Sequence, residues 1–595
     1  MKLRLILATT FLLLALINFI SAAGRRVTER RDGELVLYNG RIITMDQKST
    51  IASALAIRGS RIVAVGSENE ARAAVRPGAT IIDLRGHTVV PGLIDSHPHL
   101  DNAALATRRI DFAGARSISE MLDRIKAETE RLPPGTWIVT NPVGEPPFYF
   151  NVPEGLAEKR FPNRYDLDKV APGHPVYITG IGLRELSVPI ANSLALKLAG
   201  ITRDTVAPEG VTIVKDSAGE PTGVFEERVW PPAVQRRLFP MIPEPTVEQR
   251  TEVLRRAIEE NAAKGLTAIY EGHGLVPDSI LAYKRLQERG GLRLRVYGNM
   301  AIDPSLPMTE IEKILDTLTP FAEKGLGDGW INVTGIGLSF DASAGTGSAL
   351  MREPYVGQRG VQWQGVQRIP TDKFQQIVEA AARRRLRVQT QCSGGRAIDE
   401  VLKVYDEVNN KYPIVDLRYM VIHSQFPSAE NMALMKRLGV VATTSTNFLY
   451  VFGKDYLKFY GSEIAHNSIP MKSWLRAGIP VGLSSDRPPT SPLFGIWQAV
   501  ARLDGRTGET IGAQEKLTRE EALRCYTING AIVAFAEERT GSLEPGKLAD
   551  LVVLSGDLLT IPEAAIKELS SVLTMVGGRV THKDRAFQNV RSTVE

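Results

Sequence analysis

The 595-residue chain is 43% hydrophobic and 23% charged, a composition that excludes a disordered or fibrous protein. It also exceeds the length at which a single core stops growing, so two or three structural units are expected. A formal net charge of +5, to which Lys2 and Arg4 at the N-terminus contribute, gives no reason to invoke nucleic acid, and two cysteines, Cys392 and Cys525, are too few for a disulfide scaffold and read as unpaired buried thiols.

Residues 1–23 open with Lys2 and Arg4, continue through an apolar run from Leu5 to Ile17 and finish in small residues, with Ser21 and Ala23 suiting the cleavage rule. This is the layout of a secretory signal peptide, with an uncleaved inner-membrane anchor as the alternative. The mature protein is expected in the periplasm or secreted, with no membrane contact beyond the leader.

From Leu35 to Val90 short alternating β runs are separated by turn residues, with Asn39-Gly40 and Arg58-Gly59-Ser60 as hairpin signals. The segments 540–557 and 571–582 read the same way. A small β-sandwich built from both chain ends, 35–90 plus 540–582, is therefore expected to flank a larger domain spanning 91–539.

Within that larger domain β-rich runs alternate with helical stretches: 265–272, 292–300, 330–340, 386–392, 418–425, 439–446 and 479–486. Strands separated by helices pair in parallel through crossovers. With the segment carrying His97 they make eight, which predicts an α/β protein built on a closed (β/α)8 TIM barrel. The stretch 112–240 is rich in Pro, Gly and aromatics, breaks the rhythm, and reads as an insertion near the barrel mouth that covers the substrate. The basic run 381–389 precedes a strand and reads as a solvated helix end.

In "PGLIDSHPHLDN", residues 91–102, His97 and His99 are two apart, so on an extended strand both imidazoles aim to one side. Pro98 between them suits the end of a strand rather than its middle. His423 ends "RYMVIH" and Asp486 ends "IPVGLSSD", and in a parallel barrel all such strand ends converge on one mouth. Three imidazoles and a carboxylate suit one divalent metal, Zn2+ first, with Fe2+ or Mn2+ as alternatives. Glu271 and His273, in "IYEGHG", are further candidates at the end of an early strand, and His466 in "IAHNSIP" is a weaker one for substrate binding. His87, His174 and His582 fall outside the expected mouth.

With these motifs in hand the chain resembles the amidohydrolase superfamily, specifically the family 3 branch that includes N-substituted formamide deformylases. The resemblance runs from about Leu35 to Thr581 and rests on "LYNGRIITMD", "VVPGLIDSHPH", "LDKVAPGHPVYI", "NSLALKLAGITRDT", "GEPTGVFEE", "GLSSDRPPTSPL" and "GSLEPGKLADLVVL". It implies a metal-dependent hydrolase on a distorted (β/α)8 barrel with a flanking β-sandwich. The family's first-strand histidines fall on His97 and His99, its sixth-strand histidine on His423 and its last-strand aspartate on Asp486.

Two positions depart from the family pattern. Where members often carry a lysine that bridges two metals, four residues before a conserved-type aspartate matched here by Asp341, this chain has Gly337. Where a fifth-strand histidine is expected it has Gln391, whose amide oxygen binds metal less tightly than an imidazole. Gln391 thus becomes a candidate for binding metal or substrate, and Asp341 one for binding substrate.

The resemblance implies hydrolysis of a small amide, cyclic amide, ester or lactone by metal-activated water, with Asp486 as general base. A metal-dependent lyase or isomerase step through an enolate, and ligand binding without turnover, remain as alternatives, because fold is separable from chemistry. The expected partner is a small-molecule substrate, with a homodimer as the default assembly.

Overall fold

The computed structural model describes residues 33–144, 152–181, 186–227, 233–322, 325–357 and 361–587, so the leader of residues 1–23 lies outside the described residues. Eight parallel strands form one continuous sheet in chain order: β1 (Leu93–Asp95), β2 (Leu266–Tyr270), β3 (Arg295–Ala301), β4 (Ile331–Ser339), β5 (Arg387–Cys392), β6 (Met420–His423), β7 (Val441–Thr444) and β8 (Val481–Leu483). These are the eight runs expected from the sequence. Most of their residues are buried, the signature of parallel strands covered on both faces.

The sheet curls until its edges meet. Between β1 and β8, Ser96 N donates to Leu483 O at 3.1 Å, while Asp95 accepts from Ser485 N at 3.2 Å and Ser485 Oγ at 2.5 Å. Gly482 makes the approach feasible, since a Cβ there would lie 2.2 Å from Ser96 Oγ.

The barrel interior is a packed core rather than a pore. Ile94, Ala268, Tyr270, Tyr297, Met420, Ile422 and Val441 meet Ala531, Val533, Ala534 and Ala536, which belong to or follow the helix Ile528–Val533. Arg387, at the first position of β5, is fully buried and fixes this plug by donating to Val533 O at 2.6 Å and to Arg418 O at 2.8 Å. A filled floor leaves chemistry to the opposite end, where the C-terminal ends of the strands open.

Both chain ends supply two further sheets. One runs Ile51–Ala52, Arg41–Ile43, Thr88–Pro91, Leu551–Leu554, Ser571–Val576 and Arg579–Lys583; the other joins Arg61–Gly66, Ala54–Arg58, Glu34–Tyr38 and Thr80–Asp83. Leu37, Ile57, Leu551, Leu573 and Phe587 share the core between them. The turn at Gly59-Ser60 closes a hairpin, with Arg58 opposite Arg61. Asn39-Gly40 does not: Glu34–Tyr38 and Arg41–Ile43 belong to different sheets, and the left-handed Asn39 (φ 56°) carries the chain from one to the other. Arg295 at the start of β3 pairs with Asp550 through bonds of 2.8 and 3.0 Å, tying the barrel to this unit.

The segment inserted after β1 contains a five-stranded sheet of Ile138–Thr140, Val176–Ile178, Ile190–Ala191, Pro221–Glu227 and Val211–Lys215. Its apolar residues form cores of their own around Phe112 with Ile125, and around Tyr177 with Phe225 and Phe239. Cys392 and Cys525 are buried, unpaired thiols. Among the described residues no helix is long and apolar enough to cross a membrane.

Candidate metal centre

Five side chains meet at the open end of the barrel. His97 and His99 follow β1, His273 follows β2, His423 ends β6 and Asp486 follows β8. Three of them sit on left-handed backbone, with φ of 55° at His273, 68° at His423 and 58° at Asp486. Such conformations cost about 1–3 kcal/mol each and persist where packing over-determines them. Here they stand at the end of β6 (His423) and three residues past the ends of β2 and β8 (His273 and Asp486), where the chain leaves the sheet at the mouth.

His97 is the hub. Its ring centre lies 5.0 Å from that of His99, 4.9 Å from His273 and 5.0 Å from His423, each pair nearly perpendicular. His99 and His273 stack at 4.9 Å. His99 Nε2 is 3.1 Å and His97 Nε2 3.5 Å from Asp486 Oδ1. Two ligand sets result, His97 with His273 and His423, and His97 with His99 and Asp486; within each, one donor atom per residue lies within 4.8 Å of the others.

The donors fit a metal. Both ring nitrogens of His97 and Nδ1 of His423 are buried with no hydrogen-bond partner among the described residues, a costly arrangement for a purely structural cluster. Burial holds His97 and His273 well below the usual histidine range, reinforced by neighbouring imidazoles, and pushes His423 down to about 4. The rings are therefore neutral at physiological pH, with lone pairs available. For Asp486, burial alone would raise the carboxyl, but the hydrogen bond from His99 and the surrounding imidazoles hold it well below the ordinary carboxylate range. Neutral imidazoles around one carboxylate are a donor set for Zn2+ or a similar first-row ion.

Gly272 explains how His273 gets there. Its amide donates to Pro98 O at 2.8 Å, and a Cβ at this position would lie 2.9 Å from His97 Nε2 and from His99 Cε1. Only glycine lets the loop after β2 lie against the loop after β1. Gly337 has a related place on β4: a Cβ there would sit 2.8 Å from the carbonyl oxygen of His273. The His273 loop thus occupies the space into which a side chain at position 337 would project.

The remaining sequence candidates stand elsewhere. Glu271 points away from the mouth, accepting from Asp101 N at 3.2 Å and facing Tyr283 OH at 3.5 Å, and burial raises its carboxyl well above the usual range. Residues two apart on an extended strand share a side, but Glu271 and His273 both lie beyond Tyr270, and the left-handed backbone at His273 (φ 55°) breaks that pattern, so the two side chains part. Gln391 turns its amide nitrogen onto Asp341 at 2.8 Å and Ser393 Oγ at 3.0 Å. Asp341 is taken up further by the amides of Ser393, Gly394 and Leu350 at 2.7, 2.9 and 3.1 Å, so it pins the loops after β4 and β5 instead of reaching a substrate. His466 accepts from Gly512 N through Nδ1 at 2.9 Å, a helix-end contact outside the cluster. His87 and His174 likewise engage backbone carbonyls, of Leu84 and Thr136.

Asp95 escaped the reading by motif. It accepts from His97 N at 3.1 Å as well as from Ser485, so it locks the two strand ends that carry His97 and Asp486. The signal available was its position two residues before His97, on the same face of the strand.

A family model described as "Amidohydrolase family" matches residues 80–582. The chain is 29% identical to Protein LONG AFTER FAR-RED 3 of Arabidopsis thaliana, covering 92% of this chain and 91% of that protein. It is 28% identical to N-substituted formamide deformylase of Arthrobacter pascens, covering 93% and 98% respectively. Among solved structures, an uncharacterized metal-dependent hydrolase from Pyrococcus horikoshii shares the fold with a TM-score of 0.71 at 23% identity, over 89% of this chain and 99% of that one.

Proposed function

This chain belongs to the amidohydrolase family and is a hydrolase, and from that premise we propose that it cleaves a carbon–nitrogen bond of a small non-peptide amide or cyclic amide, or the related ester or lactone. The observation that carries the reading is the convergence of His97, His99, His273 and His423 near the Asp486 carboxylate, with buried imidazole nitrogens that have no hydrogen-bond partner among the described residues. A divalent ion bound by these residues supplies a water of lowered pKa and polarises the substrate carbonyl.

The chain's own groups do the rest. Asp486, ionised and hydrogen-bonded through Oδ1 to His99, takes a proton from the attacking water and passes it to the departing nitrogen or oxygen. His99 holds that carboxylate in place while the packed barrel floor keeps bulk water away from one side. Glycine at position 337 offers no side chain to bridge two ions, so a single divalent ion held by these residues would have to both activate water and polarise the carbonyl.

The test is metal content of the purified protein together with turnover on panels of N-substituted formamides, cyclic amides and lactones. Near-stoichiometric metal, hydrolysis of at least one panel member and loss of turnover on chelation are expected. A metal-replete protein that converts substrate without net addition of water would replace hydrolysis with a lyase or isomerase step.

A further inference from the structure

Between the inserted segment and the barrel lies a cavity of about 760 Å3 that is lined by none of the five cluster residues. One wall is the strand Ile138–Thr140, at the edge of the five-stranded sheet, with the half-buried Trp137 just before it. The facing wall comes from the barrel: Leu105 near the end of the helix Leu100–Ala106, and Val253 on the helix Val247–Ala263. Ile242, on the chain that leads into the second helix, completes the apolar part of the lining. The volume is that of a small-molecule site, typically about 300–1,000 Å3.

Charge on this lining is unevenly spent. Arg131 is taken up by Glu128 at 2.7 and 3.1 Å. Arg256 is taken up by Glu252 at 3.1 Å, and the same carboxylate accepts from Arg255 at 3.0 and 3.2 Å. Arg108 and Arg109 make no side-chain hydrogen bond or ion pair among the described residues. Arg108 is exposed, but Arg109 is half-buried, and burial lowers its guanidinium from the usual arginine value against the pull of the exposed Glu244. Arginine stays charged all the same. A partly buried guanidinium that spends none of its donors on the protein carries a desolvation cost that a bound anion would offset. Water would solvate the fork equally well in an open polar cleft, so the apolar half of the lining is what points to an organic ligand.

We propose that this cavity binds a small organic acid, one carboxylate on an aromatic or aliphatic body, at a site separate from the metal centre. Arg109 takes the carboxylate in its planar fork, and Trp137 with Leu105, Ile242 and Val253 takes the body. Glu128, Glu244 and Glu252 on the same lining oppose a second negative charge, which disfavours a phosphate or phosphonate dianion. Because one wall belongs to the insertion and the other to the barrel helices, the bound acid ties the two together. The helix Leu100–Ala106 begins directly after His99, so about 10 Å of helix separates the site from the cluster.

Titration calorimetry of the full chain, metal-free and zinc-loaded, with naphthylacetate, naphthylethanol and naphthylmethylphosphonate tests the site. Naphthylacetate is expected to bind in both metal states, about tenfold or more tighter than the alcohol or the phosphonate, the scale of a charge-assisted pair. It should also raise the melting temperature of the metal-free protein. Arg109→Met should erase the preference for the acid and Arg109→Lys should retain part of it, with zinc content unchanged in both. Thr107 lines the cavity and is exposed, so Thr107→Trp fills the space while leaving the guanidinium in place, and should abolish binding. No saturation by about 10 mM naphthylacetate, equal affinity for acid and alcohol, tighter binding of the phosphonate, or binding that requires zinc would each overturn the proposal. Full affinity in Arg109→Met or in Thr107→Trp would do the same. Binding is read without turnover, so failure here leaves the hydrolase proposal standing, and failure to find turnover leaves this one standing.

Discussion

His99 Nε2 meets Asp486 Oδ1 at 3.1 Å although the two residues are 387 positions apart. They lie at the ends of the first and last barrel strands, which become neighbours only when the sheet closes, and Asp95 with Ser485 clamps that seam from below. Closure of the barrel and assembly of the site are therefore one event.

Replacing Asp486 with asparagine keeps the shape and a hydrogen-bond acceptor for His99 but removes the charge and the proton acceptor. Turnover is expected to fall by about 10²–10⁴, the usual contribution of a positioned general base, while the melting temperature changes little. Steady-state kinetics on whichever amide or lactone the wild type hydrolyses, with circular dichroism as control, decides it. Retention of more than a tenth of wild-type turnover would remove Asp486 from the role of base.

His273 and Gln391 make opposite predictions. The imidazole stacks on His99 and lies 4.9 Å from His97, whereas the amide is spent on Asp341 and Ser393. His273→Ala should lower zinc occupancy at limiting metal by roughly tenfold or more, the effect of removing one ligand or its close support. Gln391→Ala should leave occupancy unchanged and instead lower stability, because Asp341 loses a buried donor, at a cost of about 1–3 kcal/mol. Metal analysis after dialysis against a calibrated chelator separates the two.

The metal-free protein should lose stability in acid because of His423. Its folded-state pKa of about 4 lies below the unfolded value near 6.5, so the folded state binds fewer protons than the unfolded state between those values. The favourable contribution is complete above the unfolded pKa and is lost as pH falls toward 4, a change of about 3 kcal/mol for this one group. Urea unfolding of chelated protein from pH 7 to 4 should show that slope, and His423→Asn should flatten it. An unchanged slope in the variant would place the acid sensitivity elsewhere.

Much of the fold was legible because parallel barrel strands are short, apolar and separated by amphipathic helices, and the candidate ligands at 97, 99, 423 and 486 stand at or just past the ends of such runs. What stayed illegible depends on backbone conformation and on contacts between distant loops. Asn39-Gly40 has hairpin chemistry, yet a Cβ on Gly40 would lie 2.4 Å from Leu84 Cδ1, so the glycine serves the crossing between two sheets. Glu271 and His273 share one short motif, and only the left-handed turn at His273 sends the imidazole inward while the carboxylate packs toward Tyr283. The fate of Gln391 was set by Asp341, fifty residues earlier, which no local pattern reveals.

Gly272 offers the sharpest test of how the strand-2 loop completes the centre. A methyl group there would meet His97 Nε2, His99 Cε1 and Pro98 O, all at 2.9 Å, and two of these belong to the candidate metal-binding imidazoles. Neither loop can yield alone, because Gly272 N is bonded to Pro98 O and His97 N is bonded to Asp95. Gly272→Ala should therefore push the loops after β1 and β2 apart, costing about 1–3 kcal/mol of stability as overpacking does. Zinc affinity should fall by more than that stability loss predicts, because displacement of His97 disturbs both ligand sets at once. Zinc titration monitored with a competing chelator, alongside urea unfolding of the metal-free variant, measures the two quantities separately. If affinity survives while only stability drops, the imidazoles do not depend on this contact for their positions.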